Sequence, residues 1–247
     1  MRNYGWKPDL PDHRDFVWSM VRPAKIAPLP SSVDLRPLCP PIEDQGELGS
    51  CTANALVGAL EFLELKEQIP YINLSRLFIY YNERVLNRTV NSDSGASLRE
   101  GIKTLSKQGV CDELLWAYII TKFESKPSPD CYAQARHHKI SSYYRLTLLN
   151  DMKQCLASGY PFVFGFTVYD SFESPQVAHT GIVNMPQPSE NVLGGHAVVA
   201  VGYDDTTQRF IVRNSWGSGW GMQGYFTIPY GYLANSNLSD DFWTIRR

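Results

Sequence analysis

An α+β fold is the class the sequence predicts, and three observations carry it. Apolar residues recur at helical spacing through the first half, from Ser50 to about Gly109. Short β-branched and aromatic runs, separated by Gly, Asp and Ser clusters, fill the second half from Phe162 to Arg246. The 247 residues are 43% hydrophobic and 19% charged, the balance of a packed globular chain rather than a disordered one. Helices first and strands second point to two lobes side by side, with a cleft where they meet.

The elements follow in order. Residues 1–30 hold prolines at 8, 11, 23, 28 and 30 and the large aromatics Tyr4, Trp6, Phe16 and Trp18. Proline at that density denies regular structure while the rings need an apolar surface, so an extended arm lying on the body is expected. Ala53, Leu56, Val57, Leu60 and Leu63 define a first helix, with Ser50 as its cap and Pro70 as its limit. A second helix follows Ser75, with Leu77, Phe78, Tyr81 and Val85 on one face. Ser97 and Glu100 have capping-box spacing and open a third, which runs through Ile102 and Leu105 to Gly109. A short fourth spans Asp151 to Ser158. Strands are expected at 162–169, 196–203, 209–214, 225–230 and 242–246.

Several function classes are excluded early. The net charge is −2, without the clustered basic excess of a nucleic-acid binder. No apolar run approaches the ~18 residues that span a bilayer, and residues 1–9 do not read as a signal peptide. A monomer is expected, cytoplasmic or exported without a cleaved leader. The cysteines at 39, 51, 111, 131 and 155 include no Cys-x-x-Cys pair, so zinc-ribbon and thioredoxin readings fail; no metal and no cofactor are expected.

The chemistry is spread over both halves. Cys51 falls in the first turn of the first helix, where unpaired amides favour an anion. Bringing a thiol from ~8.5 to ~4 requires about 6 kcal/mol, and a helix start supplies roughly 0.3–2, so a cation must provide the rest. Among five histidines, His196 stands alone in an apolar strand, where a satisfied core histidine is the ordinary reading. Asn214, at the end of the following strand, can orient an imidazole as a neutral acceptor, and Trp216 can shield that bond. Cys, His and Asn in this order form a nucleophile, base and orienter set.

Gln45-Gly46, Gly49-Ser50-Cys51, Gly195-His196-Ala197-Val198 and Asn214-Ser215-Trp216-Gly217-Ser218-Gly219-Trp220-Gly221 together resemble the papain-like cysteine peptidases. The pattern is most like their bacterial, xylellain-like branch. The resemblance spans residues 29–247, leaving 1–28 as an arm where other members carry a helical prosegment. It implies a papain-like two-lobed fold and thiol-dependent hydrolysis of peptide or protein substrates, as an endopeptidase, through a thioester. By the same resemblance Cys51 is the nucleophile, His196 its ion-pair partner and Asn214 the group holding His196. Gln45 is the oxyanion donor, Trp216 the shield, and Trp220 lines the leaving-group side. Gly95 and Gly195 bind the substrate main chain. Gly165 falls where an enlarged specificity pocket would have its base.

Departures matter equally. Leu48 stands where relatives carry half of a disulfide, and no cysteine lies near Asp93 to supply the other half. Thr52 replaces a tryptophan. The arm is expected to restrain the cleft, or else only to buttress the β-rich lobe. Acyl transfer or deamidation by the same triad, and a catalytically silent binding module, are the rival functions. Gly219 to Gly224 spells a dinucleotide fingerprint but leads into a strand, so it is set aside. His137 and His138 are expected on the solvated surface, and His179 lacks a serine elbow.

Overall fold

The computed structural model describes residues 3–21 and 28–247, so positions 1–2 and 22–27 of the expected arm lie outside the described residues. In chain order the elements are β1 (Ser32–Asp34), α1 (Cys51–Lys66), α2 (Arg76–Asn87), α3 (Leu98–Lys107), α4 (Pro129–Ala135) and β2 (Ser142–Arg145). They continue with α5 (Leu149–Ala157), β3 (Phe162–Tyr169), α6 (Pro175–Thr180), β4 (Val192–Asp204), β5 (Arg209–Arg213), β6 (Tyr225–Pro229), α7 (Tyr230–Leu233) and β7 (Ser239–Arg246). The antiparallel sheet has the order β2-β7-β3-β4-β5-β6, with β1 added beside the end of β4.

Residue alternation in β3 and β4 divides the interior in two. Val163, Ala197, Val199 and Val201 turn toward α1 and join the core built with α2 and α3. Phe162, Phe164, Phe166, Val198 and Ala200 turn the other way, into a second core with Phe210 and Phe226. A strand buried on both faces reads as a continuous apolar run, as these two do. Helix α1 is buried from Cys51 through Glu64 because the sheet covers one side and α2 and α3 the others.

The start signals mostly act as expected. The Ser75 hydroxyl accepts from the Phe78 amide, and Glu100 reaches back to the Ser97 amide at 3.0 Å. Ser50 does not cap α1; its hydroxyl bonds Tyr118 instead. Val85 lies outside the buried face of α2 and is 43% exposed. The short elements β1, β2, α4, α6 and α7 were too brief to carry a periodic signal, and β4 begins at Val192, four residues before the expected start.

Two buried cations tie loops to the places the site needs. Arg84 donates to the carbonyls of Val90 and Ser92 at 2.7 and 3.1 Å, fixing the loop that ends at Gly95. Arg213 donates to the Pro40 carbonyl at 2.8 Å, fixing the approach to Gln45. Glu61, inside α1, accepts from the Leu74 amide at 2.8 Å, and burial pushes its carboxyl up to about 8. Its proton is bound in the folded chain and lost from the unfolded one above the usual carboxylate range. Stability therefore falls as pH rises from ~4.5 toward 8, by up to about 1.4 kcal/mol per unit. Glu61→Gln should flatten that fall, as read by denaturant unfolding at pH 5.5 and 8.

Candidate active site

The N-terminal end of α1 opens into the cleft between the two cores, and Cys51 is its first residue. The thiol is fully buried. Backbone amides of Ala197, Gly5 and Thr52 bond to it and pull its pKa down, but burial outweighs them and pushes it up to about 11. The depressed thiol that the sequence suggested is thus absent from this form: the arm lies against the sulfur through Gly5, and burial outweighs the hydrogen bond that Gly5 supplies.

His196 sits on β4 opposite Phe166 on β3 and is fully buried. Its Nε2 lies 2.8 Å from Asn214 Oδ1. The same Oδ1 accepts from the Ser215 amide at 2.9 Å, which fixes the oxygen, not the NH2, toward the ring. Nε2 must then carry a hydrogen, and in the neutral ring Nδ1 is the basic nitrogen. The Trp216 ring stacks on the imidazole at 5.0 Å and 30°. The Ala197 amide that bonds the Cys51 sulfur belongs to the residue after His196, so the strand that carries His196 lies against the sulfur across the lobe boundary.

Gln45 is buried, with Nε2 donating to the Leu48 carbonyl at 2.9 Å and Oε1 accepting from the Ser215 hydroxyl at 2.6 Å. Ser215 thus orients both Asn214 and Gln45, a role the sequence reading did not assign although the residue stood in the quoted motif. Trp220 packs edge-on to Trp216 at 5.1 Å. Both line a hollow of about 480 Å³ with Asp44, Gly46, Glu47 and Glu173.

Asp93 takes over a structural task. Both of its carboxylate oxygens lie 3.1 Å from the Gly49 amide, joining the two segments for which no cysteine pair was found. All five cysteines are free. Asp93→Ala should therefore loosen the loop that leads into Cys51 and lower turnover roughly tenfold, the size of one lost charge-assisted bond; steady-state kinetics would check it.

The arm runs straight through this site. The Tyr4 ring meets His196 edge-on at 6.1 Å, and its hydroxyl donates to Glu173. Gly5 lies against Gly49 and Gly95; a Cβ on Gly95, which also has φ +68°, would come within 2.0 Å of the Gly5 carbonyl oxygen. The Gly5 carbonyl accepts from the Ala96 amide at 2.8 Å, and the Lys7 amide donates to the Ala96 carbonyl at 3.0 Å. Trp6 donates its amide to the Gly195 carbonyl at 2.9 Å and drops its ring onto Gly165. A Cβ there would meet the ring at 1.8 Å, so glycine at 165 makes the room that Trp6 fills. The main chain thus pairs with Ala96 and Gly195, while Gly95 allows the close approach.

Other signals resolve simply. His138 is buried and bonds Glu64 at 2.8 Å, contrary to the expected surface position; only His137 is exposed. The Gly219 to Gly224 segment leads into β6, not a helix. Among the described residues no cluster suited to a metal ion is found, and no helix is long and apolar enough to cross a membrane.

Comparison with known proteins agrees with this geometry. The sequence profile described as "Papain family cysteine protease" matches residues 29–243. A peptidase C1-like protein of Acanthamoeba polyphaga mimivirus is 44% identical, over 99% of this chain and 87% of its own. The crystal structure of xylellain, a cysteine protease from Xylella fastidiosa, superposes with a TM-score of 0.91 at 45% identity, covering 98% of this chain and 95% of that one. Digestive procathepsin L2 of Tenebrio molitor shares the fold at 20% identity, with a TM-score of 0.76, covering 100% and 78%. The chain belongs to the papain family of cysteine proteases.

Proposed function

We propose that this protein is an endopeptidase that uses Cys51, His196, Asn214 and Gln45, and that the arm holds it in a closed form. The observation that carries the endopeptidase reading is the path of the arm. A continuous main chain passes the sulfur with Tyr4 on one side and Trp6 to Asp9 on the other, so the cleft accommodates polypeptide on both sides of the sulfur.

Once the arm leaves, water and the imidazole reach Cys51, and proton transfer to Nδ1 gives the thiolate–imidazolium pair. The thiolate attacks the scissile carbonyl carbon. The oxyanion forms against the Cys51 amide and the second Nε2 hydrogen of Gln45, whose first goes to Leu48. His196 then protonates the leaving amine, leaving a thioester, and accepts a proton from the water that hydrolyses it. Asn214 keeps the ring in one orientation throughout, under the cover of Trp216.

Ser215→Ala should leave Gln45 free to rotate. Turnover is expected to fall roughly 10- to 100-fold with little change in KM, since the donor acts on the transition state. Digestion of a peptide library tests the reading itself, with product masses showing internal cleavage. Products carrying a transferred amine, or deamidated glutamine side chains, would favour acyl transfer or deamidation instead.

A further inference from the structure

The second half of the arm is held by a charge cluster remote from the sulfur. Asp9 and Asp241 are both fully buried there, and both accept from Arg145 Nη2 at 3.2 Å. Asp241 also accepts from the Asp9 amide at 2.8 Å and from Trp6 Nε1 at 3.1 Å. Asp9 accepts from Trp243 Nε1 at 2.9 Å and from the Arg99 amide at 3.1 Å. Asp15 bridges Arg99 and Arg145 at 2.6 and 3.1 Å, and Asp240 meets Arg145 at 3.3 Å. Four carboxyls thus face two guanidiniums.

The imbalance arises on docking. The body contributes Arg99, Arg145, Asp240 and Asp241, which balance; the arm adds Asp9 and Asp15. The other charged groups nearby do not repair it. Lys7, Glu100 and Lys103 line the shallow hollow beside Asp9, and Asp12 is taken by Arg14 at 2.6 Å within the arm. Farther along, Glu173 faces Tyr4 and Asp93 faces Asn3. Two carboxylates sharing one guanidinium nitrogen out of water raise the affinity of the pair for a proton.

We propose that residues 3–17 are a proton-linked latch on the cleft: the arm docks with a proton held on Asp241, beside Asp9, and loosens as the surroundings go from acid to neutral. The latch regulates the cleft whose catalytic reading is given above, and rests on it. With the arm down, burial and the neighbouring Asp9 push the Asp241 carboxyl up to about 7. With the arm lifted, Asp241 faces water and Arg145 and titrates in the ordinary carboxylate range. The docked form therefore binds the extra proton between ~4 and ~7, and docking weakens as pH climbs through that window and levels off above it.

Hydrogen exchange at the Trp6 and Lys7 amides tests this in the full chain carrying Cys51→Ser, where no cleavage intervenes. After correction for intrinsic exchange, the opening constant should rise by up to ~10-fold per pH unit between about 5 and 7. Asp9→Asn and Asp241→Asn should each abolish that slope. If the second fails to fold, Asp9→Asn, on the arm, decides alone. An opening constant that is level, that grows toward acid, or that keeps its slope in Asp9→Asn overturns the latch. Peptide hydrolysis by the wild-type chain is scored separately: an inactive protein with the same slope overturns the catalytic reading and still supports the latch.

Discussion

Cys51→Ala should reduce peptide hydrolysis by ~10⁴-fold or more, to a level set by the remaining oxyanion donors and substrate binding. The size follows from the chemistry: without sulfur there is no thioester, and the reaction falls back on direct attack by water. The fold should survive, because Cys51 packs among Ala53, Ala197 and the arm and a small apolar side chain suits that place. Circular dichroism and unfolding would confirm this. Hydrolysis retained at the wild-type rate would show that the nucleophile lies elsewhere.

Trp6→Ala should act in the opposite direction and raise hydrolysis by ~10²-fold or more at low substrate concentration. The ring is buried on Gly165 and its Nε1 is held by Asp241, so truncation empties a pocket and removes a hydrogen bond. Losing a buried tryptophan costs about 3–5 kcal/mol, here charged to arm docking rather than to folding of the body. That converts to roughly 10²- to 4 × 10³-fold in the open population. The gain should appear as a lower apparent KM or a lost lag, with kcat in the open form unchanged. A variant no more active than wild type would leave the arm as a buttress of the β-rich lobe.

The lobes were legible because their signals were long. Helix α1 is sixteen residues long and mostly apolar, and β3 and β4 are long apolar runs. The motif residues Gln45, Cys51, His196 and Asn214 were legible because each pairs a chemically distinctive side chain with a local signal, a helix start or a strand end. Ser215 escaped notice because its role lies in two hydrogen bonds, to Gln45 and from its own amide, and a serine beside an asparagine announces neither. Asp9 and Asp241 are separated by 232 positions, and a single sequence gives no hint that they share one arginine. The thiol's upward shift was hidden for the same reason: it comes from burial by segments distant in sequence.

The sulfur–imidazole pair is tested most directly by the pH dependence of Cys51 alkylation in the Trp6→Ala chain, where the cover is loosened. Iodoacetamide should react with an inflection several units below ~8.5, and His196→Ala in the same background should return the inflection to that ordinary thiol value. An inflection near ~8.5 that ignores His196 would contradict the pair, and with it the assignment of Cys51 as the nucleophile.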